Sequence, residues 1–194
     1  MVSKRMITLL LVLVTSASVG CTTFRSGRLP PMSEWPPAGA VPKKSISLLL
    51  TGEMKEAWGQ RLSFSPRVLR TWRAHVLEAY QESGLFSQVD AAVENADLRA
   101  EARVEKRKRE GWPFCAYSLV LPCIGIAELT LSTTVRNRDG DTLGVFTYGQ
   151  TLTTWWEPLL ILTMPFAYPG VVEGRALYDL SRATIVEARQ HGAF

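Results

Sequence analysis

The sequence predicts an α+β domain: a mostly antiparallel sheet of about five strands with two helices packed on one face. Three patterns carry this expectation. Val68, Leu69, Trp72, Val76, Leu77 and Tyr80 recur at helical spacing. Leu98, Ala100, Ala102 and Val104 alternate with Arg99, Glu101, Arg103 and Glu105, the period of a half-buried strand. Two threonine-rich apolar runs flank Asn137-Arg138-Asp139-Gly140-Asp141, residues that suit a tight turn.

The elements follow in chain order. Residues 1–20 read as an export signal, because Lys4 and Arg5 precede the apolar run Met6–Val14 and small residues lead up to Cys21. That run is well short of the ~20 residues a spanning helix needs. Residues 21–44 read as a tether rich in proline, with Pro30, Pro31, Pro36, Pro37 and Pro42. Such chain extends ~3.1 Å per residue. Its Trp35 is left to either the membrane interface or the domain.

The domain is expected over residues 45–194. Ser45–Met54 is a strand with Ile46, Leu48 and Leu50 on one face. Ser65 caps a helix that has Pro66 in its first turn, and Gly84 ends it. Leu85–Val93 and Ala96–Lys106 are the next two strands. Glu128–Arg136 and Thr142–Thr154 form the hairpin, with Leu129, Leu131, Thr133 and Val135 on one face. A last helix runs from Tyr168-Pro169-Gly170 to about Gln190, packing through Leu177, Leu180, Thr184, Ile185 and Ala188.

Two segments break the pattern of an ordinary core. Trp112–Ala127 and Leu159–Val172 carry no charge and flank the hairpin, which brings them near each other. As a helix the first would measure ~24 Å, below the ~30 Å of a bilayer's hydrocarbon. Pro113, Pro122, Pro165 and Pro169 interrupt both. Trp112, Trp155 and Trp156 stand at their borders, beside the basic run Lys106-Arg107-Lys108-Arg109, a composition that fits a headgroup boundary. Contact with the membrane, cover by a partner protein, and plain core are the three readings.

Ser18-Val19-Gly20-Cys21 resembles the lipobox of bacterial lipoproteins, with Ser18 where leucine is usual. The resemblance implies cleavage before Cys21 and acylation of that cysteine, palmitate included. Thr22 stands where an aspartate often signals inner-membrane retention, so the resemblance implies the outer membrane, facing the periplasm. The second half of the chain also resembles small uncharacterised bacterial lipoproteins, through Leu121-Pro122-Cys123-Ile124-Gly125, Thr153-Thr154-Trp155 and Met164-Pro165-Phe166. That resemblance brings no activity and no catalytic residue.

The remaining chemistry is sparse. Removing residues 1–20 takes Lys4 and Arg5 away and lowers the formal charge from +4 to +2, too little for a nucleic-acid signature. Of the three cysteines, Cys115 and Cys123 are candidates for a disulfide in an oxidising compartment. His75 and His191 belong to no metal-ligand spacing, and no cofactor motif occurs. Arg67, Arg70 and Arg73 read as a solvated helix face, with an anion site as the alternative. Asp139 and Asp141 read as turn residues, and Glu157 as a membrane-surface glutamate.

The expectation is a non-enzymatic structural or interaction module of the bacterial envelope. Acylated Cys21 would hold it to membrane lipid, and an envelope protein would be its partner. A module binding a lipid or other hydrophobic ligand is the alternative.

Overall fold

The computed structural model describes residues 20–27, 29, 35–37, 43–57, 59–91, 95–109, 123–157 and 168–194, with residues 20, 21, 123, 156 and 157 described by their backbone alone. The strands are β1 (Gly20–Ser26), β2 (Lys44–Lys55), β3 (Arg61–Ser63), β4 (Phe86–Asp90), β5 (Leu98–Lys108), β6 (Cys123–Asn137) and β7 (Thr142–Glu157). Helix α1 (Pro66–Glu82) joins β3 to β4, and α2 (Pro169–Gln190) follows β7. The α+β class holds, but among the described residues the sheet has seven strands.

The strand order is β1-β7-β6-β5-β2-β3, with β4 also paired to β2. Most pairings are antiparallel, but β2 runs parallel to both β5 and β4. The reason is the helix between β2 and β4. A strand–helix–strand crossover returns the chain in the same direction, whereas the four-residue turn between β6 and β7 reverses it. At that turn Gly140 takes φ +93°. The Asn137 side chain accepts from the Asp141 amide at 2.8 Å.

Two strands were not expected. β3 has only three residues, too few for a period to show. β1 lies where a free tether was expected, which corrects the start of that segment. Thr22, Thr23 and Phe24 favour extended backbone, and β7 offers a partner for all seven residues. Farther along, Trp35 packs partly buried against the core, with the Arg182 guanidinium 4.6 Å from its ring centroid. Of the two options for Trp35, the domain is the one observed.

The core lies between the sheet and both helices. Ile46, Leu48 and Leu50 of β2, Ala100, Ala102 and Val104 of β5, and Leu129 and Leu131 of β6 are buried on the helix side. α1 brings Trp72, Val76, Ala79 and Tyr80, and α2 brings Leu177, Leu180 and Ile185. The Ser65 hydroxyl caps α1 by accepting from the Val68 amide at 3.4 Å, and Gly84 just beyond the helix takes φ +65°. The helices approach closely where Gly174 of α2 faces His75 of α1. A Cβ at Gly174 would lie 2.3 Å from the imidazole Nε2.

Candidate membrane-facing site

Strand direction decides what gathers at each end of the sheet. β1 and β6 start at the end where β2, β5 and β7 finish. In Cα register, Cys21 of β1 and Cys123 of β6 lie on either side of Trp156 of β7. Adjacent strands are about 4.8 Å apart, so Cys21 and Cys123 are separated by about 10 Å across the sheet. That exceeds the ~7 Å limit for a disulfide, so these two cysteines do not bridge. Cys115 lies outside the described residues, as do Trp112, residues 110–122 and residues 158–167.

The two uncharged segments are divided by the fold. Cys123–Ala127 belongs to β6, and Pro169–Val172 begins α2. These portions are therefore strand and helix respectively. The rest of each segment lies outside the described residues. What the backbone does give is their exits: one leads into Cys123 and the other leaves Glu157, both beside Cys21.

The basic run ends β5 at this same end, and each cation has an acidic neighbour. Lys106 bonds Glu173 of α2, Arg107 lies 3.5 Å from Glu105, Lys108 lies 2.8 Å from Glu56, and Arg109 bonds Glu128. Lys55 adds 2.7 Å to Glu105. Part of this network lines a cleft formed by Lys55, Glu56, Arg107, Lys108, Arg109 and Glu128. Paired charges cancel at a distance, so the run is a weaker lure for anionic headgroups than its sequence suggests. Partial desolvation pushes the Glu53 carboxyl up, but hydrogen bonds and charge from Arg103 and Lys55 hold it below the ordinary glutamate value.

Opposite the helices the sheet has an open face with two halves. On β5 it carries exposed Arg99, Glu101, Arg103 and Arg107. On β1, β6 and β7, near Cys21, it carries Phe24, Ile124, Ile126, Thr153 and Trp155. The register pairs Thr22 with Trp155, Phe24 and Ile126 with Thr153, and Ile124 with Trp155. Phe24 is 54% exposed, and Trp155, Ile124 and Ile126 are partly buried. Sequence reasoning singled out Trp155 but missed Phe24, Ile124 and Ile126. One signal was present: extending the Leu129–Leu131 alternation backwards puts Ile124 and Ile126 on the other face.

The other candidates are placed plainly. Arg67 and Arg70 are exposed and Arg73 is partly buried, as a largely solvated face requires. His75 sits 3.4 Å from Glu78. Among the described residues no group of three His, Cys, Asp or Glu side chains is placed to hold a metal. Nor is any described helix long and apolar enough to cross a membrane.

The described residues thus define an α+β fold with two helices layered on one face of a mixed sheet. No family model matches the chain, and no curated protein matches it in sequence. Among solved structures it is similar to a DUF330-family protein from Xanthomonas campestris, at 12% identity over 86% of this chain and 94% of that one, TM-score 0.46. It is similar to PelC from Paraburkholderia phytofirmans, solved as a dodecamer, at 13% identity over 84% and 96%, TM-score 0.41. A minor lipoprotein from Acinetobacter baumannii aligns at 14% identity over 76% and 94%, TM-score 0.40. At such identities and scores these are likenesses only, without weight for activity or partner.

Proposed function

We propose that this chain is a bacterial lipoprotein anchored in the outer membrane through acylated Cys21, with its domain facing the periplasm as a non-enzymatic structural or interaction module of the envelope. The observation that carries the reading is the position of Cys21. The lipobox-type signal ends at Cys21, and that residue lies at the start of β1, beside the exits of both uncharged segments. Cleavage there would leave the acylated residue almost inside the sheet, with no slack between lipid and domain. Two acyl chains suffice for stable attachment, since each buried methylene contributes about 0.8 kcal/mol.

The ion-paired cleft supports a non-enzymatic role. Glu56 and Glu128 are each engaged by a cation, Lys108 and Arg109, so their carboxylate oxygens serve as charge partners within the protein. An envelope protein is the partner this reading proposes.

Metabolic labelling tests the anchor. In a Gram-negative host the wild-type chain should take up labelled palmitate and its mature form should begin at Cys21. The Cys21→Ser chain should take up none. Label retained by Cys21→Ser, or a mature chain beginning elsewhere, would overturn the proposal.

A further inference from the structure

We infer that the apolar half of the open sheet face, Phe24 with Trp155, Ile124 and Ile126, is a lipid-contacting surface that lays the domain against the bilayer. The inference rests on the anchor proposed above, and it adds a second contact made by the folded domain itself. Distance carries it first. The glycerol of an acylated Cys21 sits at the headgroup boundary. Phe24 is three residues farther along an extended strand, about 10 Å away. Trp155 is the cross-strand partner of Thr22, the residue next to Cys21. A sheet pinned at Cys21 therefore cannot hold this patch far from lipid.

Composition carries it second. An aromatic pair with two isoleucines and uncharged threonines is what an interface favours, because an indole or phenyl ring settles at headgroup depth. Most charged residues of the open face stand to one side, on β2 and β5, and the two on β6 are ion-paired, Glu128 with Arg109 and Arg136 with Glu101. The face also contains its own control. Val145 of β7 is 59% exposed on the same face, opposite Thr134. It stands ten residues from Trp155, about 33 Å along the strand. Exposure alone does not separate Phe24 from Val145, but distance from the anchor does. Because the nearby cations are paired with acids, the contact depends on apolar insertion more than on anionic lipid.

The test uses the lipidated full chain in vesicles of phosphatidylethanolamine and phosphatidylglycerol, with Cys115→Ser and Cys123→Ser so that an added thiol is the single labelling site. Bimane is placed through Phe24→Cys or Val145→Cys. Nitroxide headgroup lipid should quench the dye at 24 at least about fivefold more than the dye at 145, and aqueous iodide should show the reverse order. Equal lipid quenching at the two positions overturns the inference. So does a dye at 24 shielded from both lipid and iodide, which would mean a protein or second copy covers the patch. Circular dichroism checks each variant, and Thr153→Cys replaces Phe24→Cys if the latter unfolds. Failure of the anchor is read separately, from palmitate on Cys21.

Discussion

Asp97 shows how much a single exposed side chain organises here. Its carboxylate accepts from the Ser45 amide at 2.9 Å and the Ser45 hydroxyl at 2.7 Å, and its own amide donates back to that hydroxyl at 3.1 Å. The clamp joins the start of β2 to the start of β5 and so fixes their parallel register. The bond from the Ser45 amide, foremost, holds the Asp97 carboxyl below its ordinary value of 3.8. A carboxyl depressed on folding stabilises the protein above the ordinary value, and that contribution is lost as pH falls through the depressed one. Asp97→Asn should therefore lower the thermal midpoint at pH 7, with the gap from wild type narrowing as the pH drops below 3.8. A gap that stayed constant across that range would show that the charge of Asp97 plays no part. None of this was legible in the sequence, because Ser45 and Asp97 look like ordinary polar residues until the fold brings their strands together.

Elements divide into those with local causes and those without. α1 was legible from Ser65, Pro66 and its apolar stripe, and the hairpin from Asn137 and Gly140, since each signal acts within a few residues. α2 was legible from the stripe that ends in Ile185 and Ala188, both buried as expected. β1 was hidden because its partner lies over a hundred residues away, as the 2.8 Å bond between the Thr23 and Thr154 hydroxyls illustrates. The parallel pairing of β2 and β5 was also hidden, because partners such as Ile46 and Leu98 are not local in the chain and leave no turn signal between them. The α1–α2 contact makes a prediction at this scale. Gly174→Ala pushes a methyl into the partly exposed His75 ring, and the strain, net of what alanine gains over glycine inside a helix, should cost about 1 kcal/mol in urea unfolding. His75→Ala added to Gly174→Ala should recover most of it, as a double-mutant cycle would register. Additive losses would mean the two residues do not meet.

For the whole molecule, the central change from the sequence is the loss of slack at the N-terminus. The chain read as a lipid, a long extended tether and a distant domain. With β1 inside the sheet, the lipid proposed on Cys21 would form one rigid body with the domain, and the two uncharged segments leave the sheet beside that residue. The sequence singled out Cys21 and Trp155, which the fold places at the same end of the sheet. The shape of the candidate site was not legible, because Phe24, Ile124 and Ile126 meet only through the register of β1, β7 and β6. The opposite end of the sheet, at Asp139 in the β6–β7 turn, offers the most direct measure. A donor dye at position 139 of the lipidated chain and acceptors in the headgroups report the height of that turn by fluorescence lifetime. β6 spans 15 residues, so the turn can stand no more than about 50 Å above the anchor. A domain fixed to its lipid predicts one narrow distance within that limit. A broad distribution, or a height well beyond it, would contradict the account and restore the tether.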